Sequence, residues 1–334
     1  MKRLTFSIFG ASVEVSSENG AALEPLERDF GHFLAAVASP AIRLEIVRAA
    51  PPRIPAPRVF WPWRSMKISG AGSRRRVDYS GGARLEYDLD AERGTLWAED
   101  PDLSHELSYL AVLSRTGWAL DLRGLHRVHA LGFTYRGGAG LLLLPSGGGK
   151  SRLGLELLRV PGFGFLSDDA PLIRERGLEV SPFPLRLSLR GEDWRGIPEN
   201  RLSWFHRRRF GPKRLVDLEY FSAKVAGPAP LRWILVGRSA RFGERPGLRE
   251  CSRARASAAL AVNLTLGLGT AQVLELMLPR RPLRGALDLA GIVRSRARCA
   301  AAAAAGARRA VFALGGDPAR AADALRDYLD RSLS

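Results

Sequence analysis

Lysine is scarce in this chain. Of 51 basic residues only Lys2, Lys67, Lys150, Lys213 and Lys224 are lysine, and the rest are arginine. The formal charge of +17 therefore reflects arginine used wherever a base is tolerated, beside an alanine run at 300–305 that shows the same bias. Such a charge fits anionic partners in general, nucleotides and acidic peptides among them. No recognition motif narrows it to nucleic acid, which is not an expected partner. Cysteine is scarcer still. Cys251 and Cys299 stand far apart, which excludes a cysteine metal motif and a disulfide framework and fits two reduced thiols in a cytoplasmic protein. Long apolar runs are missing too. The longest, 258–278, is broken by Asn263, Thr265, Gln272 and Glu275 and reads as a buried helix, with no membrane partner expected. The first ten residues lack the pattern of a signal peptide, and no internal repeat is evident.

What is present is an ordinary globular composition, with 46% hydrophobic and 25% charged residues over 334 positions, enough for a large core. Residues 2–16 alternate around Gly10 as a hairpin. Residues 23–38 carry Leu23, Leu26, Phe30, Phe33 and Leu34 at helical spacing. Residues 42–47 read as a strand, 51–58 as a proline-rich loop, 66–99 as a meander turning at Gly81-Gly82 and 90–94, and 106–116 as a helix. These predict an N-terminal α/β module over 1–105, a candidate for recruiting a substrate or partner peptide, and a second domain over 106–334.

In the second domain, 127–135 and 140–144 read as strands joined through Arg136, Gly137, Gly138 and Ala139. The unbroken apolar run 141–144 is that of a strand buried on both faces. A glycine-rich turn follows (Pro145, Ser146, Gly147, Gly148, Gly149, Lys150, Ser151), then a helix over 152–159. Strand, glycine turn and helix in this order form a phosphate-binding arrangement. Small residues let backbone N–H groups approach phosphate oxygens. The helix N-terminus adds partial positive charge. The compact ammonium of Lys150 fits between phosphates where a guanidinium would not, and the Ser151 hydroxyl can ligate Mg²⁺. The full pattern wants glycine at 144, where this chain has leucine.

A strand over 163–166 then runs into Asp168 and Asp169. One carboxylate can hold Mg²⁺ and the other can take a proton from an attacking hydroxyl. Which does which is open, and adjacent side chains on a strand point opposite ways unless the strand ends there. His129 opens the strand pair that leads to the loop, while His32, His105, His126 and His206 show no metal spacing. Further strands lie within 178–190 and 214–238, and 252–278 and 283–305 read as helical. A strand over 309–314 is followed by Asp317-Pro318, the cap and first position of a terminal helix.

From Gly124 to Ile173 the chain resembles the HPr kinase/phosphorylase family, whose catalytic core is similar to that of phosphoenolpyruvate carboxykinases. The carrying residues are 125–130 with His129-Ala130, the hairpin glycines 137–140, the run 141–151, and 162–169 ending in Asp-Asp. The resemblance implies an α/β phosphate-loop kinase core. It implies ATP or a related phosphate donor and Mg²⁺, with Ser146, Gly147, Gly148, Gly149, Lys150 and Ser151 holding the nucleotide. Ser151, Asp168 and Asp169 would serve the metal, one of the two aspartates would be the general base for a serine hydroxyl, and His129 would sit near the transferred phosphate. The added N-terminal region looks like that of diverged members that tailor peptides in natural-product pathways, lasso-peptide kinases among them. The implied acceptor is thus a serine of a peptide or protein, and a homo-oligomer is left open. A small-molecule kinase, or a nucleotide-binding module without turnover, fits the same loop.

Overall fold

The computed structural model describes residues 1–54, 59–63, 66–145, 147–189, 196–206, 212–238, 244–265 and 282–333. The fold is mixed α/β, with several sheets. The chain divides into two compact units: Met1–Leu122 with Trp204–Lys213 and Thr270–Gly291, and Arg123–Ser203 with Arg214–Gly269 and Ile292–Ser334.

The first unit is built on one sheet. Its strands are β1 (Lys2–Ile8), β2 (Ala11–Ser17), β3 (Ile42–Val47), β4 (Val59–Trp63), β5 (Met66–Ala71), β6 (Arg74–Tyr79), β7 (Ala83–Asp88) and β8 (Arg93–Trp97). The order is β1-β2-β3-β8-β7-β6-β5-β4. The hairpin turns at Gly10 as its pattern predicts, pairing Ile8 with Ala11. Alternation sends Val13, Val15, Leu44, Ile46, Leu85 and Leu96 into the core. Helix α2 (Pro101–Asp121) packs on β2, β3 and β8. It starts where Asp100 accepts the Asp102 and Leu103 N–H groups, with Pro101 in its first turn. The boundary read at 105 falls inside this helix. Arg115, on α2, is buried and donates to both Glu92 carboxylate oxygens at 3.0 and 2.6 Å, tying the helix to the β7–β8 turn.

The helix expected over 23–38 is much shorter. α1 covers Glu24–Asp29, a single 3-10 turn follows over Gly31–Phe33, and Leu34 is extended and bridges to Phe6. The apolar spacing is real, since Leu26, Phe30 and Phe33 are buried. Backbone pairing with β1 outweighs the helical continuation past Gly31.

The second unit contains β9 (Leu125–Arg127), β10 (Leu131–Tyr135), β11 (Gly138–Leu143), β12 (Phe163–Ser167), β13 (Leu172–Arg174), β14 (Glu179–Ser181), β15 (Leu187–Leu189), the first half of β16 (Leu202–Phe205), all but the first residue of β17 (Lys213–Val216), β18 (Ala229–Arg238), β19 (Gly247–Glu250) and β20 (Arg308–Ala313). Strands β15, β17 and β16 make a small sheet. The main sheet runs β12-β10-β11-β18, continues from the start of β18 through β14, β13 and β9, and carries β20 and then β19 beside the end of β18. β11, β18 and β20 are parallel, and both faces are covered, as parallel strands require. Leu142, Leu144, Leu235 and Phe312 bury against α3 (Lys150–Leu157) and α6 (Pro318–Leu333). Leu141, Leu143 and Ile234 bury on the other side against α4 (Arg253–Thr265) and the later turns of α5 (Pro282–Gly306), where Cys299 and Ala300 lie. The alanine run is thus helix with a buried face. The part of the 252–278 expectation beyond Thr265 lies outside the described residues.

Candidate functional site

Strand direction gathers the site. β10 is antiparallel to both β11 and β12, so β11 and β12 run the same way and finish at one edge of the sheet. β10 starts at that edge, which puts His129, just ahead of it, beside the segments that follow β11 and β12. Ligands of open α/β sheets bind at such carboxyl-terminal edges.

The loop after β11 is shaped by its glycines. Gly147 and Gly149 have φ of 80° and 98°, a left-handed conformation that a side chain would strain. A Cβ on Gly148 would sit 3.0 Å from the Pro145 carbonyl oxygen. Gly149 caps α3 without a side-chain acceptor, so it takes up none of the first-turn N–H groups. Ser146 lies outside the described residues.

Lys150 turns back under the loop. It is 6% exposed, and its Nζ donates to the Leu144 carbonyl oxygen at 2.8 Å. The same Nζ lies 2.9 Å from His129 Nε2 and 3.6 Å from Asp169 Oδ1, and His129 Nε2 is 2.9 Å from Asp169 Oδ1. One ring nitrogen thus meets a donor and an acceptor. Unprotonated, Nε2 accepts from Lys150; protonated, it donates to Asp169. The backbone N–H of His129 donates to the Asn263 carbonyl oxygen on α4 at 3.1 Å. Ser151 Oγ donates to Asp168 Oδ2 at 2.7 Å.

Both aspartates therefore face the loop, although neighbours on a strand would diverge. β12 ends at Ser167, whose hydroxyl accepts the Ala170 N–H at 3.1 Å. That turn frees Asp168 to meet Ser151 and Asp169 to meet His129 and Lys150. Asp168 is half-buried and Asp169 exposed. A serine hydroxyl against a carboxylate suits Mg²⁺, which takes one or two protein oxygens and completes its shell with phosphate and water. Among the described residues no cluster of three metal-binding side chains exists, so a metal here would depend on the ligand's own oxygens.

Leu144, at the position where the pattern wants glycine, is 1% exposed and belongs to the α3/α6 side of the core. Its side chain occupies space left by Gly237 on β18, where an added Cβ would lie 2.4 Å from Leu144 Cγ. The Leu144 carbonyl faces Lys150, and Leu144 Cδ2 lies 3.1 Å from where a Cβ on Gly148 would be.

Two residues of the site have no role in the sequence reading. Gly237 makes room for Leu144, with no local signal for it. Asn263 positions His129; its one trace in the sequence is a polar residue in an apolar helix.

No known family model matches the sequence, and no curated protein matches it. Among solved structures, the chain is similar to the Hpr(Ser) kinase/phosphatase from Coxiella burnetii, at 12% identity and a TM-score of 0.31, over 62% of this chain and 99% of that one.

Proposed function

We propose that this chain is an ATP-dependent phosphotransferase that moves a phosphoryl group to a serine hydroxyl of a peptide or protein. The observation that carries the reading is the pairing of two adjacent aspartates with two adjacent loop residues: Asp168 with Ser151, and Asp169 with Lys150 through His129. Phosphoryl transfer needs positioning and charge neutralisation above all, and this cluster supplies both.

The Gly148 N–H is taken by the Pro145 carbonyl oxygen at 3.0 Å; the other N–H groups of 147–151 and the α3 N-terminus bind the donor's β- and γ-phosphates, and the Lys150 ammonium neutralises them. Ser151 and Asp168 would hold Mg²⁺, which when bound neutralises and orients the phosphates. Asp169 accepts the proton of the acceptor hydroxyl as the new oxygen–phosphorus bond forms. The bond from the γ-phosphorus to its bridging oxygen breaks, and ADP leaves with that electron pair. His129 Nε2 fixes the Asp169 carboxylate when protonated and releases it to Lys150 when not. The first unit is the candidate for recruiting the peptide. The Leu144 side chain is buried and packs beneath Gly148, from the core side of the loop.

Incubation with γ-labelled ATP and candidate peptides, followed by mass spectrometry, tests the reading. Label on a peptide serine is the expected result. Label released only as phosphate would point to a nucleotide hydrolase, and label on an added small-molecule acceptor alone to a small-molecule kinase. Tight ATP binding with no turnover would sink transfer in favour of a regulatory nucleotide-binding module. Label from pyrophosphate in place of ATP would reassign the donor.

A further inference from the structure

A polar cavity of about 680 Å³ lies in the second unit, between β19, the end of β20 and the start of α4. It lies where β18 and β20 end, the same edge of the sheet at which the parallel β11 ends and the loop begins. Its charge is lopsided. Arg238, Arg245, Arg249 and Arg255 line it against Glu244 and Glu250. Glu244 is held by both terminal nitrogens of Arg238. Glu250 alternates with Arg249 along β19 and makes no ion pair among the described residues; after burial, its charge raises the Tyr328 hydroxyl pKa. Arg245, Arg249 and Arg255 are exposed and make no ion pair among the described residues. Arg249 sits opposite Val311, on the α4 side, where the first turn of α4 adds its N-terminal partial charge behind the Ser252 cap. β19 is paired only to β20 among the described strands, so the cavity opens onto a strand edge where an extended chain can lie.

We propose that this cavity receives acidic side chains of the acceptor peptide and holds its serine beside the donor loop. Three arginines without resident carboxylates match several acidic groups on one flexible chain, and the volume exceeds what a single phosphate fills. The inference rests on the reading of the chain as a peptide or protein phosphotransferase.

Cys251 lines the cavity and is half-buried, so its alkylation reports occupancy. Cys299 is the internal control: it is wholly buried, with its thiol pushed up to about 12 by burial and then by Glu175. The rate of Cys251 alkylation, read by mass spectrometry on the full chain at fixed ionic strength, should fall severalfold with an oligoglutamate peptide and stay unchanged with a neutral peptide of equal length. Arg249→Glu with Arg255→Glu should abolish the protection and leave Mg-ATP affinity unchanged. Arg249→Gln with Arg255→Gln should weaken protection without introducing new negative charge. No protection, equal protection by the neutral peptide, or protection by inorganic phosphate alone would overturn the proposal. Repeating the measurement in Lys150→Ala separates the two sites. Protection that survives there while wild-type protein labels no peptide would overturn the donor reading and leave the acidic-peptide cavity standing.

Discussion

Restoring the missing loop glycine should harm this protein. A motif-based view expects Leu144→Gly to open the loop and tighten nucleotide binding. The structure predicts otherwise, because the side chain fills the core beneath Gly148 and the carbonyl holds Lys150. Truncating a buried leucine to alanine costs about 2–5 kcal/mol, and glycine in place of alanine in extended chain adds about 0.5–1 kcal/mol. A loss of about 3–6 kcal/mol is a large share of a typical domain's stability of about 5–15 kcal/mol. At about 2–4 °C per kcal/mol, Tm should fall by roughly 6–24 °C. The assay is thermal unfolding followed by circular dichroism, with ATP titrated at a temperature where both proteins are folded. Affinity should not tighten there. Gly237→Ala overpacks the same spot, at about 1–3 kcal/mol, and should be less harmful in a Leu144→Ala background, with a coupling of about 0.5–3 kcal/mol. An unchanged Tm together with tighter ATP binding in Leu144→Gly would refute the reasoning.

Lys150→Ala removes a charge-assisted contact of about 1.5–3 kcal/mol, so ATP affinity measured by calorimetry should drop at least roughly tenfold; normal turnover would remove the loop assignment. Asp168→Asn and Asp169→Asn should each keep most nucleotide binding and stop label transfer, and activity in both would exclude the general-base role. Ser295 Oγ donates to Glu175 at 2.6 Å and, ahead of Arg298, holds that carboxyl below its usual range against the opposing effect of burial. A depressed carboxyl pKa contributes stability above its unfolded value, and that contribution fades as pH falls through the folded one. Ser295→Ala should therefore narrow the gap in urea stability between neutral and acid pH, and an unchanged gap would show that Glu175 is held by other means.

Much of the frame was legible because it rests on local rules. The β1–β2 hairpin follows from alternation around Gly10, and α6 begins where Asp317 accepts the Ala319 N–H at 2.9 Å with Pro318 in its first turn. Strand, glycine turn and helix follow one another at β11 and α3 as the pattern requires. What the sequence hid depends on chain ends and on neighbours distant in sequence. The convergence of Asp168 and Asp169 required β12 to stop at Ser167, one residue beyond the strand end read at 166. The short α1 required β1 to capture Leu34. The arginines around Cys251 come from segments on either side of it and from β18, and looked like the background arginine of the whole chain.

The glycine-rich pattern is written as letters in a row, but what its first position demands is volume. In this chain the small residue stands one strand over, at Gly237, and the Leu144 side chain fills the space it leaves. The two positions act as a single site split across 93 residues of chain. Relatives that regain glycine at the first should be free to carry a larger residue at the second, and those that keep leucine should keep glycine opposite. A search that reads one stretch at a time will pass over such chains. A search that scores the two strands as a pair will find them.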